Sequence, residues 1–411
     1  MTLRLYHRDA YLRAFEAEVT AARGADAGGP AVALAETVFY PAAGGQPGDW
    51  GDLAGLAVRD VRDEEGTIWH HVPDDAALPA VGARVQGAID WARRFDHMQQ
   101  HTGQHILSQA CIQTLGAQTL SVHMANTCTI DVEMTSVDAD ALIRAETMAN
   151  AAVMENRPVT TRDVDLDQAL ALGLRRPPKQ TGLIRVVEVE GFDRSACGGT
   201  HVRSTGEVGP IVVRGAERYK GGVRVEFLCG WRALRDYRWT RGLVRDLAGQ
   251  FTVGEPELAD AVARLRERAR DLERSLTDAR LELVQHEATA MIMAAPPAEA
   301  GSPAVIAAAF VDRSMDELRA LARAVTAQRD AVAILATDPD RRVLIARSPS
   351  VAADAASILR EALAEFNGRG GGRPEAAEGI AAGAPSAQAV VDAARPVAAR
   401  HVARASKGAA P

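Results

Sequence analysis

The chain reads as an α+β multidomain protein, and three stretches carry that reading. Residues 1–90 hold short apolar segments broken by Gly, Pro and Asp, residues 255–293 hold a heptad pattern, and residues 302–411 alternate strand and helix. Between them, residues 91–250 mix both types. The boundaries expected are therefore 1–90 (a small barrel or sandwich), 91–250 (mixed α+β), 251–298 (a helical spacer) and 302–411 (α/β). A length of 411 residues suits two to four domains of roughly 100–200 residues each.

Composition narrows the class. Apolar residues make up 47% and charged residues 25%, the balance of a soluble globular chain. No apolar run approaches the roughly 18 residues of a membrane span, and Met1-Thr-Leu-Arg-Leu-Tyr-His-Arg-Asp9 has no signal-like apolar core. The four cysteines, Cys111, Cys128, Cys197 and Cys229, are too few to staple the chain and fit a reducing cytoplasm. A net charge of −7 does not advertise nucleic-acid binding, so any such surface must be local.

In chain order, Ala31–Ala35, Leu56–Val61, Thr67–Val72 and Arg84–Ile89 are the expected strands of the first segment, and Gly44-Gly45-Gln46-Pro47 a turn between them. Next comes His101-Thr-Gly-Gln-His105, followed by strong helix formers. On a helix, His101 and His105 share a face. Cys197-Gly-Gly-Thr-His201 repeats the four-residue spacing, but its glycine pair favours a tight loop that follows the expected strand Leu183–Val189. Three histidines and a cysteine make a tetrahedral zinc set, with ligand lengths of about 2.0–2.3 Å. Position 104 is Gln, and the glutamate base of an HExxH protease is absent from positions 102–104, which disfavours that chemistry. Gln104 and Thr200 flank the ligands as candidate catalytic or supporting donors. Thr119–Met124 and Cys128–Met134 are expected to pair, placing Ser121 and His123 on one face and making His123 a candidate pocket residue. A helix is expected from Asp138 to Arg157, before Pro158.

Beyond Cys229, Arg232, Arg235, Arg238, Arg241 and Arg245 recur at helical spacing, interleaved with Trp231, Tyr237 and Trp239, as an RNA-facing stripe would. Leu258, Val262, Leu265, Ala269, Leu272, Leu276, Ala279 and Leu283 then alternate by four and three, a seam for a coiled coil or an antiparallel helical hairpin serving as spacer or dimer contact. Pro296-Pro297 and Gly301-Ser-Pro303 mark a linker. In the last segment Val305–Val311, Ala331–Leu335 and Val343–Ala346 are expected strands, Ser314–Gln328 and Ala353–Phe366 helices, and Gly368–Arg373 a Gly-rich loop carrying Arg369 and Arg373. The tail with Arg395, Arg400, Arg404 and Lys407 is expected to be a basic arm or a frayed end.

Taken together, Phe39–Asp49, Asp90-Trp91 with Arg93-Arg94, His97–Leu107, Cys197–His201 and Gly370–Pro374 resemble, in order, the alanyl-tRNA editing proteins, relatives of the editing half of alanyl-tRNA synthetase. The resemblance implies a barrel like those of translation factors at the N-terminus, a zinc-dependent editing domain, and a C-terminal domain shared with DHH-type phosphoesterases that contacts RNA. It implies hydrolysis of mischarged tRNA(Ala), carrying serine or glycine, as the second sieve that a small hydrophobic pocket alone cannot supply. Gly44, Gly45 and Gln46 then fall near the editing pocket, with Ala43 where the family often has a third glycine. Thr37 matches a position tied to recognising the misplaced amino acid, where its hydroxyl could pair with that of serine. No adenylate-forming segment of some 250 residues precedes the barrel, so hydrolysis is expected and synthesis is not. Editing of threonyl-tRNA shares the metal spacing, but the C-terminal domain belongs with the alanyl side. The remaining alternatives are a zinc hydrolase of another acyl ester and an RNA-binding protein with a structural metal.

Overall fold

A computed structural model describes residues 1–24, 29–178, 182–296 and 302–408. The chain divides into two compact units, Met1–Gln250 and Phe251–Pro411.

The first unit begins with a seven-stranded sheet ordered Leu56–Val58, Gly51–Leu53, Arg84–Ile89, Ala14–Arg23, Ala31–Leu34, Thr67–His71 and Asp60–Glu64. The strand Ala14–Arg23 bends at an irregularity between Val19 and Ala21, pairing with Ala88–Arg84 on one side and with Leu34–Ala31 on the other. Such a bulge adds twist and turns a flat sheet towards closure. The two end strands are joined through Arg59 without pairing, so the sheet is a near-barrel open at one seam. This bent strand is absent from the sequence expectation because Glu16, Glu18 and several alanines blur its alternation. Its core is Val19, Val32, Leu34, Phe39, Leu53 and Ile68.

His70 is sealed in that core, its ring between the Thr37 hydroxyl (2.8 Å) and the Val32 carbonyl (2.9 Å). Burial pushes the imidazole down to about 4. In the unfolded chain it titrates near 6.5, so between these values the unfolded state binds more protons and stability falls as pH drops. We expect a His70→Gln variant to show a shallower decline in melting temperature than wild type from pH 6.5 to 4.5. Parallel curves would refute the assignment.

A four-stranded antiparallel sheet, Thr119–Met124, Cys128–Val132, Gly222–Cys229 and Ile211–Tyr219, carries the helices Trp91–Leu115 and Ala139–Met154. Met98, Ile106, Leu107, Leu142, Ala149, Ile130, Val225 and Phe227 fill the space between them. Cys111, Cys128 and Cys229 are core thiols there. Beside it, Val159–Val164, Ile184–Val189 and Asp193–Ala196 form a three-stranded sheet whose last strand runs straight into Cys197.

In the second unit, Leu258–Ala294 is one uninterrupted helix, and the hairpin alternative is thereby excluded. Its C-terminal end packs through Val284, Ala288, Met291 and Ile292. Along its middle, Leu265, Leu272, Leu276 and Leu283 are each more than half exposed. A five-stranded sheet follows, ordered Ala304–Val311, Ala331–Asp338, Arg342–Arg347, Ala376–Ile380 and Arg369–Gly372, with only the first pair parallel. Two expectations are corrected here. The Gly-rich segment is an edge strand, because Cβ atoms on Gly370 and Gly372 would come within 2.7 Å and 2.4 Å of the neighbouring strand's carbonyls. The tail is the helix Ala387–Gly408, whose Val390, Val391, Ala394, Val397 and Ala398 are buried around Pro396. Pro297 and Gly301 of the expected linker, and the Lys407 side chain, lie outside the described residues.

Candidate metal centre

The helix Trp91–Leu115 starts at Asp90, whose carboxylate accepts from the Arg93 amide (3.1 Å), and stops at Gly116 in the left-handed region. Its inner face carries His101 and His105, 3% and 4% exposed. The strand Asp193–Ala196 delivers Cys197, and the loop after it returns His201 to the same point. Gly199 is required at that approach, since a Cβ would sit 2.2 Å from the His101 ring.

One donor atom from each of His101, His105, Cys197 and His201 lies within 4.8 Å of the others. Cys197 Sγ is 3.3 Å from His101 Nε2 and 3.4 Å from His201 Nε2. Tetrahedral ligands at 2.0–2.3 Å from a zinc ion are roughly 3.3–3.8 Å apart, a spacing that both sulfur–nitrogen pairs meet. The outer nitrogens agree with this. His101 Nδ1 donates to Gln46 Oε1 (2.7 Å), His201 Nδ1 meets Thr102 Oγ1 (3.1 Å) and His105 Nδ1 meets Asp193 Oδ2 (3.2 Å). Each ring thus turns Nε2 towards the shared point, as metal-bound imidazoles do when a second partner fixes their tautomer. Burial would raise the Cys197 thiol, but the His101 and His201 rings outweigh it and hold it well below its ordinary value, favouring thiolate.

Gln46 connects the two halves of the unit. It occupies the end of a two-residue turn in which Gly44 and Gly45 both have positive φ (58° and 86°), with Ala43 and Gln46 exchanging backbone bonds of 3.1 and 2.9 Å. Its amide donates to Thr200 Oγ1 (2.8 Å) and its oxygen accepts from the Thr200 amide (3.1 Å). Beneath this turn the fully buried Arg94 guanidinium pairs with Asp49 and donates to the Ala10 and Val38 carbonyls, tying the histidine helix to the near-barrel.

A cleft of about 760 Å³ opens beside the cluster, lined among others by Tyr6, Tyr40, Gly44, Gln104, Val122 and Arg176. Gln104 belongs to its wall, its amide held by Ser108 Oγ (2.8 Å). Three sequence candidates stand elsewhere. Thr37 is fully buried, occupied by His70 and by the Phe39 amide, and does not line the cleft. Thr200 is likewise sealed and acts through Gln46. His123 is exposed, on a strand whose Val122 is the residue facing the cleft, because side chains alternate across a strand.

The arginine stripe also divides. Arg232 is clamped on Asp96 by contacts of 2.7–3.0 Å and donates to the Ala125 carbonyl, so it fastens the helix Gly230–Phe251 to the core. Arg235, Arg238 and Arg241 are exposed, as are Arg369 and Arg373 on the second unit. Asp193 was missed in the sequence, where one acid among many carries no signal. It supports His105, accepts from Ser195 (3.0 Å) and lies 3.6 Å from Arg175. Asp193→Asn should weaken metal affinity about 10–100-fold, measurable by competition with a chromogenic chelator. An unchanged affinity would reject that role.

A family model for the threonyl and alanyl tRNA synthetase second additional domain matches residues 184–226, and one for the DHHA1 domain matches residues 302–399. The chain is 31% identical to the alanyl-tRNA editing protein AlaX-L of Pyrococcus horikoshii, across 92% of this chain and 94% of that one. It is 30% identical to the alanyl-tRNA editing protein Aarsd1 of Rattus norvegicus, across 72% and 75%. It is also 29% identical to the alanine–tRNA ligase of Pyrococcus abyssi, across 92% of this chain but 42% of the ligase. At 31% identity across more than nine-tenths of both chains, the chain belongs to the alanyl-tRNA editing protein family, in its long form.

Proposed function

We propose that this protein is a trans-editing hydrolase that removes serine, and glycine as a second substrate, from mischarged tRNA(Ala). The observation that carries the reading is the convergence of His101, His105, Cys197 and His201 at the wall of an open cleft. Those four side chains would hold Zn2+, for which three imidazoles and a thiolate are a suitable set. When bound, the ion supplies Lewis-acid polarisation at the ester or its attacking water, or a hold on the substrate's amino group. The chain's own residues then do the positioning. Gln46 and Asp193 orient two of the rings, Gln104 presents a polar wall, and exposed Arg176 at the cleft offers charge to the terminal phosphates.

In the same reading residues 1–90, 91–250, 251–298 and 302–411 are the working domains. Arg235, Arg238 and Arg241 and the exposed Arg369 and Arg373 contact RNA, and the protein works in the cytoplasm. Among the described residues no helix is long and apolar enough to cross a membrane. The exposed heptad seam suits a parallel or antiparallel coiled coil with a second copy, which sedimentation would reveal as a dimer.

Zinc content by elemental analysis, with hydrolysis of Ser-, Gly- and Ala-tRNA(Ala), tests the whole. Turnover of the first two but not the third is expected. A second reading has one observation in its favour: four protein ligands complete a structural zinc site. Stoichiometric zinc with RNA binding and no turnover on any of the three would establish it. Turnover only on acyl esters other than aminoacyl-tRNA would instead make the protein a general zinc hydrolase.

A further inference from the structure

A second cleft, of about 1000 Å³, lies in the first unit and shares no lining residue with the first. Pro47, Trp50, Arg93, His97, Arg214, Arg232 and Arg235 contribute to it, with Asp96 and Asp236 as its only acids. Four arginines against two carboxylates give it a positive balance in a chain whose net charge is −7. Asp96 is consumed by Arg232, and Asp236 lies 3.2 Å from Arg214, which also pairs with Glu226 (2.9 Å). Arg93 Nε donates to the Gly48 carbonyl (3.1 Å), so the terminal nitrogens of Arg93, together with Arg235, remain for an incoming anion. Arg93 has no carboxylate within salt-bridge distance among the described residues, and Arg235 is 64% exposed at 3.8 Å from Asp96.

Two further features point to the kind of anion. Trp50 is 38% exposed at this cleft, with the Arg93 guanidinium 4.0 Å over its ring and that of Arg59 5.4 Å away. A guanidinium laid on an indole makes a planar stack of the kind against which a base can pack, with a neighbouring arginine to pair the phosphate. His97 lines the cleft although only 4% exposed, and neither of its ring nitrogens has a hydrogen-bond partner among the described residues. Nδ1 is sealed from solvent, which leaves the opposite edge of the ring for a ligand. His97 also sits one helical turn before His101, about 6 Å along the same axis, so the two clefts are built on one rigid element.

We propose that this cleft binds a nucleotide of an RNA, with the base against the Trp50–Arg93 stack, the phosphate between Arg93 and Arg235, and the His97 ring donating to it. The proposal rests on the editing reading for the identity of the RNA, not for the existence of the site.

The test is fluorescence anisotropy of a labelled RNA hairpin of acceptor-stem length on the full-length, metal-loaded protein, across a salt series. Arg93→Gln and Arg235→Gln should each weaken binding about tenfold at low salt and reduce the salt slope by roughly one. Trp50→Ala should weaken it about fivefold or more with the slope unchanged. His97→Leu should weaken it too, while His97→Gln, which keeps an N–H, recovers part of the loss. Circular dichroism and zinc content report that each variant is folded. Wild-type affinity and slope in folded Trp50→Ala and Arg235→Gln proteins would overturn the proposal. Competition by AMP or inorganic phosphate at concentrations comparable to the hairpin would also overturn it, identifying a free-nucleotide site instead. Binding is read without turnover, so a protein that binds through this cleft yet leaves mischarged tRNA intact would sink the editing reading and keep the cleft.

Discussion

Replacing Cys197 by alanine is expected to abolish metal retention and to lower deacylation of Ser-tRNA(Ala) by at least about 100-fold. The thiolate is the one anionic donor of the four, and the His101 and His201 nitrogens both face it at 3.3–3.4 Å. Without it, three neutral imidazoles are left to hold a dication. His105→Ala should behave alike, and additionally leaves Asp193, which is 3% exposed, without its imidazole partner. Elemental analysis and a radiolabelled-tRNA assay on the same preparations decide the matter. A metal-free variant that still clears serine would remove the cluster from catalysis.

Arg94→Met should cost about 3–5 kcal/mol of stability, the usual penalty for stranding a buried charge. Asp49 would keep its bond from the Tyr40 amide (2.6 Å) but lose its guanidinium. Both side chains are completely buried, so no water replaces the lost partner. The effect should extend to the metal. Asp49 closes the segment that carries Gln46 against His101, and loosening it frees that ring. Urea denaturation gives the first quantity and chelator competition the second. A double variant, Arg94→Met with Asp49→Leu, should recover part of the stability because no charge is left unpaired. A single variant as stable as wild type would show that packing alone holds the helix on the near-barrel.

Much of this was legible in the chain. Two four-residue spacings announced the cluster, because a helical turn and a short glycine loop both act over a few residues. Resemblance marked Gln46, yet its contact is with His101, 55 residues on. Asp193 looked like any acid until a hairpin placed it behind His105. Thr37, whose match in sequence suggested a substrate contact, has its hydroxyl engaged by His70, 33 residues on. Arg232 kept its helical spacing but lost its freedom to Asp96, 136 residues earlier.

The amino-acid order by itself determined the two His/Cys spacings that converge, the long heptad-bearing helix, the strand-and-helix alternation of the C-terminal domain and the family. Those depend on periodicity and residue chemistry, which are local. Only tertiary structure decided which hydroxyls and guanidinia are available, which strand bends the first sheet into a near-barrel, and that His97 finds no partner among the described residues beside an arginine-rich cleft. Those outcomes depend on groups brought together across tens to hundreds of residues, where burial and competition for hydrogen bonds, rather than spacing, set the result.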